Sequence, residues 1–200
     1  MRRYPRGAAL FHELQPSDHV VVLLAGRVKI VRTSDEGKEV VLAVRGAGDL
    51  LGELSAIDGE SRSATAVALE PVEGIVVPTS RFHEFLEQHG RVALVLMKTV
   101  TRRLRESDLK RLEFGSQDSM GRVAARVLEL ADRFGEEIDG GIRIALPITQ
   151  EELAGWTGCS REAVNKALQS MRSLGWLETG RREITVRNRE ALCRRAGEFA

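Results

Sequence analysis

A long segment without glycine or proline divides this sequence into two halves with different patterns. Residues 91–114 are rich in leucine, valine and arginine, and they predict one continuous helix. Before this segment, short runs of β-forming residues alternate with turn-forming residues, whereas after it apolar residues recur at helical spacing. We therefore predict a first domain over residues 1–114, which includes the long helix. A second domain is predicted over residues 115–200, with a hinge at the polar Gly115–Asp118 segment.

The composition is that of an ordinary globular protein. The chain has 200 residues, of which 42% are hydrophobic and 30% are charged. Its formal net charge of +1 argues against a general polyanion binder, so any nucleic-acid surface must be local. No apolar run reaches the roughly 18 residues of a membrane span, and the first residues lack the apolar core of a signal peptide. We predict a cytoplasmic protein that does not enter a membrane.

Metal, disulfide and catalytic chemistry lack the residues that they need. Cys159 and Cys193 are far apart, and neither has a second cysteine at CxxC spacing. The histidines are scattered as well, so we predict no metal site. The sequence offers no evident nucleophile–base set and no paired carboxylates in a plausible pocket. We therefore predict that the chain is not an enzyme.

The first domain is predicted to be rich in β-structure. Turns such as Ala25-Gly26 and Gly46–Asp49 separate short β-type runs, a spacing typical of an antiparallel sandwich or barrel. The predicted strands are residues 20–24, 27–32, 39–45, 63–69 and 74–77. Thr79 and Ser80 are predicted to cap a short helix over residues 81–88.

The segment Gly52–Ala66 concentrates groups suited to a compact phosphorylated sugar. Arg62 supplies a planar cation, Ser63 supplies a hydroxyl, and Glu53 can accept from a ribose hydroxyl. The backbone N–H groups of the same segment are expected to line a small anion-binding concavity. The alternative is a glycine-rich bend with a surface Arg–Glu ion pair.

This segment resembles the phosphate-binding cassette of cyclic-nucleotide-binding domains, whose pattern is Gly-Glu-Leu, a short helix, then Arg-Ser/Ala-Ala. Gly26-Arg27-Val28, Gly37-Lys38-Glu39 and Gly48-Asp49 also fall in the order seen in the cyclic AMP receptor protein/fumarate-nitrate reductase regulator family. One departure is Leu14-Gln15-Pro16, which stands where that family usually has a glycine-containing turn. The resemblance implies an α+β fold that begins with an antiparallel β-barrel or jelly roll.

The long helix of residues 91–114 is predicted to pair with a partner helix. Its apolar residues follow an approximately heptad spacing, and the seam turns polar near its end. The predicted seam residues are Ala93, Met97, Val100 and Leu104, followed by Ser107 or Asp108 and then Arg111. The alternative is a helix that packs on its own domain. The family resemblance implies a parallel homodimer.

The resemblance also implies a nucleotide site at the cassette and the long helix, with cyclic AMP as the effector. In the family, this helix supplies hydroxyls to the adenine ring, partly from the other subunit. Ser107 matches the first hydroxyl position, whereas Asp108 replaces the second with a carboxylate. Arg103 matches a family arginine in the pocket. The implied nucleotide-binding residues are Gly52, Glu53, Leu54, Arg62, Ser63, Arg103, Ser107 and Asp108.

The second domain is predicted to begin with a helix and a short strand. Ser119 is a candidate cap for a helix over residues 120–134, which has an apolar face. Residues 135–141 are predicted to form a loop. Residues 142–146 alternate apolar and polar side chains, as a short strand would.

A winged helix-turn-helix is predicted in the rest of this domain. Thr149–Glu152 has the form of a capping box and opens a short helix. Thr157–Cys159 supplies a glycine-containing turn, and Ser160 is predicted to cap a second helix over residues 161–174. Residues 179–182 are predicted to form the tip of a β-hairpin wing, whose arginines suit phosphates.

The second of these helices carries side chains that can read DNA bases. At 100° per residue, its predicted core face holds Val164, Leu168, Met171 and Leu174. The opposite face holds Glu162, Asn165, Lys166, Gln169 and Ser173, with Arg161 at its margin. These are residue types that contact base edges, although a solvated helix face is the alternative. Residues 160–189 contain seven basic and three acidic residues, a local excess of +4.

Residues 159–168 closely resemble the recognition helix of the same family, particularly its actinobacterial branch. The resemblance implies that Arg161, Glu162 and Lys166 read a half-site like TGTGA, repeated as a palindrome. It also implies a dimeric, effector-controlled transcription regulator that binds double-stranded DNA and RNA polymerase. The alternatives are a regulator of this family with another effector or none, and a cyclic-nucleotide sensor without a transcriptional role. The predicted DNA-binding residues are Thr149, Gln150, Ser160, Arg161, Glu162, Asn165, Lys166, Gln169 and Arg181.

Overall fold

A computed structural model of the chain describes residues 1–145 and 148–197. The chain divides into two compact units, Met1–Glu106 and Ser107–Ala200. The boundary lies inside the long helix because the last turns of that helix belong with the second unit. There, Glu113 accepts from Arg126 at 2.6 Å. The division into domains at residues 114 and 115 stays a prediction.

The first unit contains two antiparallel sheets. Its strands are β1 (Arg2–Tyr4), β2 (Ala9–Phe11), β3 (His19–Ala25), β4 (Val28–Thr33), β5 (Glu39–Arg45), β6 (Leu50–Leu51), β7 (Thr65–Ala68) and β8 (Val72–Pro78). Within the described residues, one sheet has the strand order β1-β8-β3-β6 and the other has the order β2-β7-β4-β5. This arrangement resembles a jelly roll and is not one closed barrel, and it confirms the predicted fold class.

The two sheets share one apolar core. Val21 from β3, Phe11 from β2 and Val28 from β4 are buried in the same cluster. Leu51 and Ala66 belong to this cluster as well. The core therefore anchors both ends of the cassette segment, residues 52–66, and leaves the residues between them to form the candidate site.

Three helices of the described chain dock on β3: α1 (Glu53–Asp58), α2 (Thr79–Gln88) and α3 (Gly90–Ser116). Ala56, Phe82 and Leu96, one from each helix, are buried in a cluster with Val20 of β3. The predicted short helix of the cassette and the predicted long helix are therefore confirmed, although the short helix already begins at Glu53.

The predicted cap of α2 is wrong. Thr79 is already helical, and Pro78, which has no hydroxyl, occupies the N-cap position without a side-chain hydrogen bond. Proline at a helix start loses no hydrogen bond, because the first N–H groups of a helix have no intrahelical partner.

The predicted seam of α3 is wrong in part. Val100 packs against the apolar cluster of its own unit, and Ala93 is partly buried. The exposed stripe of α3 within the first unit consists instead of Leu94, Met97, Thr101 and Leu104. These residues alternate in steps of three and four, which is the spacing of a coiled-coil seam.

The second unit is a winged helix-turn-helix, as predicted. Its elements are α4 (Ser119–Phe134), β9 (Gly135–Ile138), β10 (Gly141–Ala145), α5 (Gln150–Thr157), α6 (Arg161–Ser173), β11 (Leu177–Gly180), β12 (Glu183–Val186) and α7 (Arg189–Arg195). In the described residues, these strands form a sheet with the order β11-β12-β10-β9. The β11–β12 hairpin is the wing, and Arg181 and Arg182 form its turn.

Three local predictions for this part of the chain are wrong, the first of them only in part. Helix α3 continues through Gly115 and Ser116, so the predicted break is limited to Gln117 and Asp118. The cap of α4 is Asp118, which accepts from the Gly121 N–H at 2.9 Å, so Ser119 is already helical. Residues 135–138 form β9 and not a loop, because backbone pairing with β10 holds a segment whose side chains are mostly polar. Leu146, the last residue of the predicted strand, lies outside the described residues.

The described helices include none that is both long enough and apolar enough to span a membrane. Helix α3 is 27 residues long, but charged side chains recur along it.

Candidate nucleotide site and candidate DNA interface

Arg62 lies buried at the centre of the cassette segment, with 1% of its surface exposed. Its Nη1 donates to the Gly52 carbonyl oxygen at 3.0 Å and to the Ser55 hydroxyl at 2.9 Å. Its Nη2 donates to the carbonyl oxygen of His19. The guanidinium also lies over the Phe11 ring, 4.4 Å from the ring centroid. These contacts tie α1 to β2 and β3.

One donor of this guanidinium has no partner among the described residues. The Nε–H of Arg62 is buried and makes no hydrogen bond there, although an unpaired buried donor costs about 1–3 kcal/mol. Burial lowers the pKa of Arg62, and the carboxylates of Asp18 and Glu53 oppose that shift. Arginine stays protonated in proteins, so Arg62 keeps its positive charge and one donor that a phosphate oxygen would fit.

Gly52 makes room for this arginine. Its φ of +80° places it in the left-handed region at the start of α1. A Cβ atom at this position would lie 2.4 Å from Nη1 of Arg62. Glycine is therefore required at this position for two reasons, the backbone conformation and the close approach of the guanidinium.

Glu53 is buried beside an arginine from α3. Its Oε1 accepts from Nη1 of Arg103 at 2.6 Å, and 4% of Glu53 is exposed. Nη2 of Arg103 donates to the Leu50 carbonyl oxygen at 3.0 Å and lies 3.3 Å from the Asp49 carboxylate. The structure thus brings two of the predicted site residues, Glu53 and Arg103, into direct contact.

The other predicted nucleotide-binding residues do not join these contacts. Leu54 and Ser63 are exposed on the first unit. Ser107 and Asp108 are exposed on the part of α3 that belongs to the second unit, where Asp108 lies 3.9 Å from Arg111. The roles of these four residues in nucleotide binding stay predictions.

Sequence reasoning missed three groups that hold the two arginines. Asp49 and Ser55 contribute side chains, and His19 contributes its backbone carbonyl. The sequence contains a signal only for Asp49, because its charge is opposite to that of an arginine. A backbone carbonyl is common to every residue and leaves no sequence signal.

The turn at Leu14 braces the backbone of Arg62. The Leu14 N–H donates to the Arg62 carbonyl oxygen at 2.9 Å, and the Arg62 N–H donates to the Gln15 carbonyl oxygen at 2.8 Å. Leu14 has φ +65° and is 77% exposed. A residue other than glycine in this region costs roughly 1–2 kcal/mol. Where the family usually has a glycine-containing turn, this chain therefore has a leucine in a strained backbone conformation, beside the cassette.

Both helices of the helix-turn-helix have side-chain caps. Thr149 and Glu152 form the predicted capping box: the Glu152 N–H donates to Thr149 Oγ1 at 3.1 Å, and the Thr149 N–H donates to Glu152 Oε2 at 2.7 Å. The Ser160 hydroxyl accepts from the Ala163 N–H at 3.1 Å. These caps fix the residue at which α6 begins, Arg161.

Helix α6 separates a core face from an exposed face. The core face contains Val164, Ala167, Leu168 and Met171, all buried. Leu174, which was predicted on this face, is 55% exposed because α6 ends at Ser173. Arg161, Glu162, Lys166 and Gln169 are exposed, as predicted. Asn165 is partly buried, and its Oδ1 has no hydrogen-bond partner among the described residues.

A polar groove of about 310 Å³ connects α5, α6 and the wing. Its lining residues are Gln150, Asn165, Leu168, Gln169, Arg172, Thr179 and Gly180. Three of the predicted DNA-binding residues, Gln150, Asn165 and Gln169, therefore share one surface. Thr149 and Ser160 lie at the helix starts, and Arg181 lies at the wing tip.

The cations of the second unit fall into two groups. Most are paired: Arg126, for example, lies 2.6 Å from Glu113 and 3.0 Å from Glu129. Within the described part of this unit, five cationic side chains have no hydrogen bond, ion pair or ring contact, and all five lie on α6 or at the wing tip. They are Arg161, Lys166, Arg172, Arg181 and Arg182. This is the charge distribution that a surface for phosphates requires.

Arg172 and Arg182 were not among the predicted DNA-binding residues. The sequence contained a signal for Arg172: it lies eleven residues after Arg161, just over three whole turns, and therefore on the same edge of α6. The sequence also contained a signal for Arg182, which is one of the two arginines at the predicted wing tip. Its φ of +62°, an unusual conformation for arginine, depends on the hairpin turn.

Comparison with known proteins finds matches to two different domain families in the two halves of the chain. Residues 1–89 match the cyclic nucleotide-binding domain, and residues 121–195 match the Crp-like helix-turn-helix domain. The CRP-like cAMP-activated global transcriptional regulator of Mycobacterium tuberculosis is 33% identical over 193 residues, which cover 96% of this chain and 86% of that protein. The cyclic AMP receptor protein of Thermus thermophilus is 31% identical over 93% of this chain and 83% of its own length.

A solved structure supports the likeness over the whole fold. FixK2 from Bradyrhizobium japonicum superimposes with a TM-score of 0.86 at 25% identity, covering 96% of this chain and 94% of that protein. The fold, the cassette and the helix-turn-helix thus point to one conclusion: the chain belongs to the CRP/FNR family, whose members are DNA-binding transcription regulators and not enzymes.

Proposed function

We propose that this protein is a homodimeric transcription regulator whose binding to DNA is controlled by cyclic AMP. The observation that carries the proposal is the buried guanidinium of Arg62, which keeps a positive charge and an Nε donor that has no partner among the described residues. A buried arginine in this state is suited to a phosphate group. The names of the relatives from M. tuberculosis and T. thermophilus support cyclic AMP as the effector.

The proposed nucleotide contacts use residues of the first unit. Arg62 and Ser63 would hold the phosphate, which would supply an acceptor for the Nε–H of Arg62 that has no partner among the described residues. Glu53 would accept from the ribose hydroxyl with Oε2, because Oε1 already accepts from Arg103. Arg103 thus acts as a positioning residue that holds the Glu53 carboxylate in place.

The proposed DNA contacts use the exposed face of α6 and the wing. Recognition helices contact bases chiefly with their N-terminal residues, and Arg161, Glu162 and Lys166 are exposed there. In two copies of the chain, these residues would read two half-sites like TGTGA, arranged as a palindrome. We also propose that the protein regulates transcription by binding RNA polymerase.

The test combines a titration with a DNA-binding measurement. Cyclic AMP and cyclic GMP are titrated into the protein by calorimetry, and binding to a palindromic TGTGA duplex is measured with each nucleotide and without nucleotide. We expect saturable binding of cyclic AMP, loss of that binding in Arg62→Ala, and tighter DNA binding in its presence. Unchanged nucleotide affinity in Arg62→Ala would refute the assignment of the site.

A second candidate function is DNA binding without an effector. It is favoured by the internal contacts of the cassette, because both Nη groups of Arg62 and the Glu53 carboxylate already have protein partners. Specific DNA binding that is the same with and without either nucleotide would support this second function over the first.

A further inference from the structure

Arg172 lies on the groove between α6 and the wing, away from the residues that are proposed to read bases. We propose that Arg172 binds a DNA phosphate that flanks the base-contacted half-site, so that this groove extends the DNA contact beyond the first turns of α6. The inference rests on the proposed docking of α6. It adds a positioning contact that the family resemblance did not assign.

The first observation is the charge of Arg172. Its side chain is exposed and makes no hydrogen bond or ion pair within the described residues. Elsewhere in the second unit, exposed arginines do find acceptors: Arg187 pairs with Glu178 at 3.0 Å, and Arg143 pairs with Glu136 at 2.7 Å. Arg172 is thus left as a solvated cation on a surface that also contains DNA-binding candidates.

The second observation is its position along α6. Arg172 follows Arg161 by three turns, a rise of about 16 Å along the helix axis. The major groove of B-DNA is only about 12 Å wide. With Arg161 at the bases, a residue so far along the same edge of the helix would lie at the sugar–phosphate backbone and not at a base.

The third observation is the chemistry of the groove around Arg172. Gln150, Gln169 and Thr179 line the same groove and contribute amide and hydroxyl groups. Gly180 also lines the groove and contributes only backbone atoms. Amides, hydroxyls and arginine are the groups that proteins use to contact phosphates and fix their orientation on DNA.

The inference predicts a particular salt dependence. Each phosphate contact contributes about −0.9 to the slope of log K against log salt concentration. Arg172→Ala should therefore reduce the magnitude of this slope by about 0.9 for each half-site, or about 1.8 for a dimer on a palindrome. It should weaken binding to a specific duplex and to a random duplex by a similar factor, because a phosphate contact reads no sequence.

The measurement is fluorescence anisotropy of the full-length protein with both duplexes, at several salt concentrations and with saturating cyclic AMP. Arg172→Lys should largely restore the slope, because a lysine keeps the charge. The matched control is Arg194→Ala, which removes an exposed arginine of the same unit that pairs with Glu190. This control should leave the slope unchanged.

Two results would overturn the inference. The first is an unchanged salt slope in Arg172→Ala, and the second is a loss of affinity confined to the specific duplex, which would make Arg172 a base reader. Either result can be distinguished from failure of the proposed function. If the proposed function were wrong, the unmodified protein itself would not prefer the palindromic duplex.

Discussion

Arg62 forms hydrogen bonds to both α1 and β3 of the first unit from one buried position. Its hydrogen bonds reach the start of α1 at Gly52, the hydroxyl of Ser55 and the backbone of β3 at His19. A buried charge is costly unless hydrogen bonds surround it. Residues that contact Arg62 should therefore affect both stability and nucleotide binding, whereas residues of similar backbone geometry that lie away from it should affect stability alone.

Gly52→Ala tests this distinction. The added Cβ would meet Nη1 of Arg62 at 2.4 Å, and the backbone at φ +80° is unfavourable for alanine. We expect a loss of stability of at least 1–2 kcal/mol from the backbone alone, together with a loss of cyclic AMP affinity of about tenfold or more, because a charge-assisted contact is displaced.

The matched control is Gly59→Ala, at the other end of α1. Gly59 has φ +77°, but nothing lies within 4 Å of its added Cβ. Urea unfolding should show a similar backbone cost in Gly59→Ala, and calorimetry should show nearly unchanged affinity. Equal loss of affinity in both variants would argue against a special role for the contact between Gly52 and Arg62.

Leu14→Gly should stabilise the first unit. The substitution relieves roughly 1–2 kcal/mol of left-handed strain at φ +65°, while the greater freedom of glycine in the unfolded chain removes about half of that gain. Leu14 is largely exposed, so little packing is lost. We expect a net increase of up to about 1 kcal/mol in the free energy of unfolding from urea titration. A decrease would mean that the leucine side chain makes a stabilising contact.

Asp118 should give the second unit a pH-dependent contribution to stability. Hydrogen bonding from the Gly121 N–H, helped by Arg195, lowers the pKa of Asp118 below its usual value. A lowered folded-state pKa means that the stabilisation is present above about pH 4, the unfolded value. It is lost as the pH falls through the folded-state pKa.

Asp118→Ala measures this contribution. At pH 7, the loss of an N-cap should cost about 1 kcal/mol in the free energy of unfolding. The difference from the unmodified protein should shrink as the pH falls below about 4. Asp118→Asn keeps the cap acceptor without the charge and should therefore show a smaller loss. A difference that stays constant between pH 7 and pH 3 would contradict the assigned role.

At the scale of elements, α3 has two faces with different partners. Leu96 and Val100 pack on the apolar cluster of the first unit, and Arg103 continues that face toward Glu53. Leu94, Met97 and Leu104 are exposed on another side of the helix. An exposed apolar stripe with steps of three and four is typical of a helix that pairs with a copy of itself.

Met97→Asp should therefore weaken the proposed homodimer. Met97 is 64% exposed and lies in the exposed stripe, whereas Val95 is 62% exposed but lies about 160° away around the helix. Analytical ultracentrifugation should show a shift toward monomer for Met97→Asp, because a charge would be buried in the seam. Val95→Asp is the control and should leave the dimer intact. The opposite pattern would place the dimer contact on another face of α3.

At the scale of the whole molecule, charge is distributed unevenly although the net charge is only +1. Within its described residues, the second unit pairs most of its cations internally and leaves five without side-chain partners on α6 and the wing. The first unit instead buries the Arg62 cation, one of whose donors has no partner in the described part of the chain. The two units therefore offer anion-binding groups of different kinds, a buried site for a small ligand and an open surface for DNA.

Cyclic AMP should raise the thermal stability of the protein. A ligand at about 100 times its Kd stabilises the folded state by about 2.7 kcal/mol, which corresponds to roughly 5–10 °C for a chain of this size. Differential scanning calorimetry should show this shift for the unmodified protein and no shift for Arg62→Ala. A shift of equal size in Arg62→Ala would place the stabilising ligand elsewhere.

The sequence by itself determined the features that depend on local chemistry. The capping box at Thr149 and the cap at Ser160 were predictable, because each needs only a side chain and a backbone N–H a few residues away. The glycine-rich cassette and the long helix were predictable as well, because each is recognised from a continuous stretch of residues. The family resemblance then supplied the order of the two domains and the exposed residues at the start of α6.

The tertiary structure alone decided the contacts between residues far apart in the chain. Nothing in the sequence shows that the His19 carbonyl binds Arg62, that Asp49 holds Arg103, or that Val100 faces its own unit while Leu94 faces outward. These contacts depend on how strands and helices pack, and packing is set by the whole core. The same holds for Arg172, whose charge was evident in the sequence but whose place on the groove depended on the fold of α5, α6 and the wing.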